Sequence, residues 1–185
     1  MHGMIFAELK RFVSDKYSVE TWSTLLESAG LGGKVFMAIQ EYPDADAVAI
    51  VTAASELTKL PANDILEAFG EFITPSLMKM YGHLAKPEWK TLEFIENAEK
   101  SIHSVVRVKN PGAQPPELHC LRNSDGSLAL YYQSKRKMCA LAKGIAKGVA
   151  RHYGERLSIS ESQCMHKGAA RCEIWLSTAQ SATAQ

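Results

Sequence analysis

Neither sign of charge dominates this chain. Lysines and arginines number 21 against 20 aspartates and glutamates over 185 residues, a formal net charge of +1. Nucleic acid and anionic membrane surfaces select basic stripes, so the balance argues against both as partners. Long hydrophobic runs are missing as well. The greasiest stretch, Ala45 to Ala54, is interrupted by Asp46 and falls far short of the ~20 residues that span a bilayer. At the N-terminus, Glu8, Lys10 and Arg11 stand where a secretory signal needs its apolar core. No internal repeat and no linker divides residues 1–176, and residues 177–185 are small and polar. The chain is therefore expected to be cytoplasmic: one domain over 1–176, then a disordered tail. Cysteine is scarce, four residues in all, at 120, 139, 164 and 172. In a reducing compartment these read as free thiols or metal ligands rather than disulfides.

What remains is an ordinary globular composition, 46% hydrophobic and 22% charged. The first two-thirds have helical texture. Ile5, Leu9, Phe12 and Val13 form one apolar stripe, and SVETWSTLLESAG runs from a capping Ser18 to a stop at Gly30. A third helix is predicted from about Asp46 to Lys59. The Leu60-Pro61 step ends it, and NDILEAFGEFI follows as another helix. TPSL at 74–77 and AKPEW at 85–89 read as turns. A long helix then starts near Thr91 and continues through LEFIENAEKSIHSVVRV. The proline-rich NPGAQPPEL cannot extend it. Two strands follow, ELHCLR and LALYYQSKR, separated by a hairpin signal at Asp125-Gly126. KMCALAKGIAKGVARHYG returns to helix, and two last strands lie around RLSIS and CEIWL. The fold class is α+β: an N-terminal helical part, then an antiparallel sheet with one late helix.

Three groups of residues could carry chemistry. If LALYYQSKR is one strand, Tyr132, Ser134 and Arg136 share a face, with apolar Leu128 and Leu130 below them. Such a face suits an amphiphilic ligand with anionic groups at its rim, although a solvated strand end has the same composition. Cys164 and Cys172 come close across a loop between strands, and Cys139 could join them. Either His166 or Glu161 would complete a tetrahedral zinc site; inert buried thiols are the competing reading, and Cys120 reads as packing. His103, flanked on its helix by Glu99, Ile102, Val106 and Arg107, reads on those neighbours alone as a core or boundary histidine.

Taken together, these residues resemble one family closely, the haem–nitric oxide/oxygen binding (H-NOX) domains of soluble guanylate cyclases and stand-alone bacterial gas sensors. The resemblance rests on Tyr132-x-Ser134-x-Arg136, a histidine about thirty residues upstream, the Pro115-Pro116 pair between them and the Met1-x-Gly3-x-Ile5 start. It implies haem b held between the helical part and the sheet, with His103 as the proximal iron ligand. Tyr132, Ser134 and Arg136 would hold the propionates, Pro116 would press on the porphyrin, and Ile5 and Ile145 would pack against it. In dioxygen-binding members a tyrosine lies five residues after the motif arginine; here that position is Leu141, and its supporting positions are Leu9 and Ile73. Bound dioxygen needs a donor that nitric oxide does not. The implied function is a nitric oxide sensor, also able to take carbon monoxide, that excludes dioxygen. Its output would pass to a separate histidine kinase or cyclic-di-GMP enzyme as the iron–His103 bond weakens.

A subset of bacterial members resembles this chain in its cysteines, which implies zinc on Cys139, Cys164 and Cys172, with Glu161 at the fourth position or His166 in its place. Two other readings compete with a sensor. A haem peroxidase or oxygenase would need acid–base groups where Ile5, Leu9, Ile73 and Leu141 are expected, so the chain is expected not to be an enzyme. A zinc or thiol redox module would use Cys139, Cys164 and Cys172 and leave His103 structural.

Overall fold

The first two helices begin where a side chain supplies a partner for a free N–H group. The computed structural model describes residues 1–110 and 112–179. Helix α1 (Gly3–Lys16) starts with the His2 ring accepting from the Met4 amide, and α2 (Val19–Ser28) with the Ser18 hydroxyl accepting from Thr21. Prolines 43 and 61 precede α3 (Asp44–Thr58) and α4 (Ala62–Tyr81), fixing an extended approach to each. Lys59, at φ 60°, turns the chain between them. No helix among the described residues is long and apolar enough to cross a membrane.

Helix α4 does not stop at TPSL, as its proline suggests; it continues through Pro75 to Tyr81. Packing decides this. Ile73, Thr74 and Met78 are buried, and that burial outweighs the one ladder bond that proline removes. Their main partner is the late helix, α7 (Cys139–His152). The two helices approach closely because glycines line the crossing. A Cβ on Gly144 would lie 2.0 Å from the Glu67 carbonyl oxygen, one on Gly70 2.5 Å from that of Leu141, and one on Gly148 2.3 Å from the Thr74 hydroxyl.

After α4, the segment expected as one long helix is α5 (Thr91–Ala98), a π turn (Glu99–His103) and α6 (Ser104–Lys109). Four strands follow: β1 (Glu117–Arg122), β2 (Leu128–Gln133), β3 (Arg156–Gln163) and β4 (Cys172–Ala179). They form one antiparallel sheet in the order β1-β2-β4-β3. The Asp125 carboxylate accepts from the Ser127 amide at 2.9 Å and Gly126 takes φ 84°, which closes the expected hairpin.

Two boundaries differ from the sequence reading. β2 ends at Gln133, and Ser134–Lys137 form a turn closed by the Lys137 amide on the Ser134 carbonyl at 3.1 Å. β4 extends through Ser177, Thr178 and Ala179, residues expected in the tail, because β3 offers them a ladder from Arg156 to Ser158. Residues 180–185 lie outside the described residues.

The result is the expected α+β architecture with two large apolar clusters and a smaller one around Met78, Phe94 and Val149. Phe6, Leu9, Phe12, Ile50, Phe69 and Ile73 belong to the helical core. Leu128, Leu130, Ile174 and Leu176 of the sheet pack with Leu92 and Ile95 of α5. Helix α7 spans the seam: Leu141 and Ile145 pack on the helical core, while Cys139 and Ala146 belong to the sheet's.

Candidate cofactor site and cysteine cluster

His103 closes the π turn, where the Ser104 amide reaches back five residues to the Glu99 carbonyl. Its ring is mostly buried, with 17% of the side chain exposed, and Nδ1 lies 2.9 Å from Oε2 of Glu99. Arg107 donates to the other Glu99 oxygen at 2.7 Å, and the Leu118 amide of β1 donates to Oε2 at 3.2 Å. Burial lowers the His103 pKa, and its bond to Glu99 opposes that only in part; the Pro116 carbonyl lies beside the same ring. For Glu99, burial alone would raise the carboxyl, but hydrogen bonds from His103 and Arg107 prevail and hold it below the ordinary carboxylate range.

Tyr132, Ser134 and Arg136 do come together, by a route other than a shared strand face. Tyr132 stands at the end of β2, while Ser134 and Arg136 ride on the turn after it. The Tyr132 hydroxyl is buried beside Ser134 and Arg136, and burial raises its pKa. Arg136 is already engaged with a carboxylate: its guanidinium lies 3.3 and 3.4 Å from the Asp44 oxygens and also donates to the Gln114 carbonyl. The Met1 amino group sits 3.0 Å from the same Asp44. Nothing in the sequence around Asp44, an acid in the first turn of a helix, singles it out as the partner of an arginine in another lobe.

Across the seam, Ile5, Leu9, Ile73, Leu141 and Ile145 pack into one cluster, with Leu9 and Ile73 buried. None of these five side chains carries a hydrogen-bond donor. A cavity of about 430 Å³ opens further into the helical lobe among Phe12, Leu25, Ile50 and Ile65, and shares only Leu9 with this wall.

These groups fit haem. An apolar wall suits the macrocycle, a histidine with its Nδ1 proton committed presents Nε2 to a metal, and an arginine that already grips a carboxylate can grip a propionate. A family model described as haem-NO-binding matches residues 2–161. The chain belongs to the haem-NO-binding family.

Soluble guanylate cyclase gcy-34 of Caenorhabditis elegans is 29% identical over 157 residues, which cover 82% of this chain and 23% of the cyclase; gcy-32 of the same organism is 28% identical over the same shares. The chain thus spans about a quarter of the length of these relatives. The H-NOX protein of S. oneidensis, solved in its Fe(II)NO state, superposes with a TM-score of 0.91 at 24% identity, covering 97% of this chain and all of that one. The Fe(II) unliganded H-NOX protein of K. algicida gives 0.89 at 21% over the full length of both. This is an H-NOX domain, related to the soluble guanylate cyclases.

The H-NOX chain also gathers three of its four cysteines. The Sγ atoms of Cys139, Cys164 and Cys172 and a Glu161 carboxylate oxygen all lie within 4.8 Å of one another. Cys139 and Cys172 stand 3.8 and 3.9 Å from Cys164, and all three are buried. Burial and then the neighbouring thiols push the Cys139 thiol well up. Glu161 has Lys143 at 3.8 Å from one oxygen, while its buried Oε1 has no hydrogen-bond partner among the described residues. His166, the other candidate for the fourth position, is turned away: its Nε2 lies 2.6 Å from the Lys137 carbonyl. Cys120 lies apart on β1, its thiol raised to about 12, chiefly by burial.

Proposed function

We propose that this H-NOX domain is a cytoplasmic nitric oxide sensor and not an enzyme. When bound, haem b supplies the ferrous iron that takes nitric oxide or carbon monoxide. His103 would be the protein's ligand to that iron, and Arg136, Tyr132 and Ser134 would orient the propionates, Arg136 exchanging Asp44 for one of them. Pro116 would set the lie of the ring from the His103 side. The wall of Ile5, Leu9, Ile73, Leu141 and Ile145 would exclude water and offer no proton to a bound dioxygen, which leaves the site to gases that bind ferrous iron without a donor. His103 would be the residue whose hold on that group weakens when nitric oxide binds, and the π turn that carries it would then be free to shift against β1. A separate signalling protein, a histidine kinase or a cyclic-di-GMP enzyme, would receive the change.

The observations that support this reading are a buried histidine on a fixed carboxylate, an arginine that grips a carboxylate beside Tyr132, and a donor-free apolar wall, in a chain of the haem-NO-binding family. Absorption spectra of the ferrous protein under argon, in air and with nitric oxide test it. A change with nitric oxide and none in air is the expected result. A stable change in air would overturn the exclusion of dioxygen, and a protein that takes up no haem would end the reading.

Zinc on Cys139, Cys164, Cys172 and Glu161 accompanies this reading as a structural site. It is favoured by the unpartnered Oε1 of Glu161 inside a cluster of buried thiols. Stoichiometric zinc that falls in a Glu161→Ala variant and persists in a His166→Ala variant is the expected outcome.

A further inference from the structure

Glu99 is held more firmly than a surface acid needs to be. Oε1 receives Arg107 at 2.7 Å; Oε2 receives the Leu118 amide at 3.2 Å and faces His103 Nδ1 at 2.9 Å. Those contacts come from its own helical segment and from strand β1, so the carboxylate has a fixed position that the imidazole must meet. The π turn serves the same end. Glu99 and His103, four residues apart across that turn, are neighbours on one helical face.

Geometry of this kind sets two properties of an imidazole. Committing the Nδ1 proton to a carboxylate fixes which tautomer is present, so the lone pair sits on Nε2. It also makes that lone pair a stronger donor than one opposite a ring whose Nδ1 faces a carbonyl or water. Arg107, 40% exposed, adds little as a surface ion pair in its own right; its part is to keep Glu99 charged and in place.

We infer that Glu99 is a positioning residue for His103: it fixes the plane and tautomer of the ring, strengthens His103 as a ligand, and so sets how readily nitric oxide releases it. This rests on the reading of His103 as the iron ligand and adds to it a threshold for release. The shared acceptor also ties that threshold to β1, since the oxygen that holds His103 holds the Leu118 amide too.

The test compares the haem-loaded wild-type protein with Glu99→Gln, Glu99→Leu and Arg107→Leu. Two readouts are taken: the iron–histidine stretching frequency in the ferrous protein by resonance Raman, and the fraction of His103 released at a fixed sub-saturating nitric oxide concentration. Glutamine keeps an acceptor without the charge, leucine removes both, and the arginine variant leaves the His103 contact in place. The stretch is expected to fall from wild type through Glu99→Gln to Glu99→Leu, with Arg107→Leu nearest wild type. The preference for the released form is expected to rise by about 10-fold in Glu99→Leu, the scale of lost support behind a metal ligand. An unchanged stretch and unchanged release in Glu99→Leu would overturn the inference. If Glu99→Leu does not fold, an unchanged stretch in Glu99→Gln does so. Failure of the underlying reading looks different: the wild-type protein then shows no iron–histidine stretch, or one that His103→Ala leaves intact.

Discussion

The helical lobe and the sheet-side lobe bring opposite chemistry to the seam between them. From the helical side come Ile5, Leu9 and Ile73, joined by Leu141 and Ile145 of α7, all shape and no hydrogen bonds. From the other side come a histidine on a fixed carboxylate, a tyrosine, a serine and an arginine, each with a polar partner. On the proposed reading, one lobe would decide what may approach a bound metal, and the other how that metal is held. This division predicts that substitutions on the sheet side change retention and ligation, while those on the helical side change stability and selectivity.

The largest expected effect lies on the sheet side. His103→Ala would remove the proposed nitrogen ligand and leave a hole of imidazole size beside Glu99, so the ferrous spectrum should lose its histidine-ligated form and regain it with added imidazole. An unchanged spectrum would break the division at its strongest point. Next comes Arg136→Ala. A hydrogen-bonded charge pair of this kind is worth about 1.5–3 kcal/mol, so haem retention, measured by transfer to an apo-globin acceptor, should fall by roughly 10- to 100-fold. Lys135→Ala, one residue away and exposed, should leave it unchanged.

Stability sharpens the contrast between lobes. Gly144→Ala in α7 would drive a methyl into the Glu67 backbone at 2.0 Å, and backbone cannot rotate aside. A cost of about 1–3 kcal/mol is expected, read as a lower urea midpoint. In the β1–β2 hairpin, Gly126→Ala meets nothing within 4 Å but must adopt φ 84°, which costs about 1 kcal/mol. Similar losses for both would mean that α4 and α7 can move apart, and that their crossing fixes the wall less tightly than its glycines indicate.

Different physics explains what could be read in the residues and what could not. Periodicity reveals the helices that bury one face, α1 to α5 and α7, and the Asp-Gly hairpin declares itself; α6 buries no residue. Tyr132, Ser134 and Arg136 are legible as a set, but the strand that would give them a shared face ends at Gln133. Alternation alone does not reveal that a turn can deliver the same residues. Pro75 misled in the other direction, since local propensity argues for a break that burial against α7 overrides. Gly144 and Gly148, four apart on α7, signal a close helix crossing, yet nothing local says which helix crosses there. The Asp44–Arg136 pair joins residues 92 apart, and Glu99 matters only because β1 and a π turn converge on it. Such contacts belong to the fold and not to any stretch of sequence.

The smallest expected effect makes the most searching test of the helical wall. Leu141→Tyr would place a hydroxyl in a cluster where Leu9 and Ile73 offer it no partner. A hydroxyl without a partner pays for its own burial and is free to turn away from the gas, so only a faint change in air is expected. Adding Ile73→Asn would supply that partner. The double variant should then hold dioxygen longer than either single variant, by more than the two single effects combined, because the amide orients the hydroxyl that does the donating. Strong dioxygen binding by Leu141→Tyr alone would mean that the wall already contains a group able to hold the hydroxyl. The helical lobe would then contribute polarity as well as shape, and the division between the lobes would be one of degree.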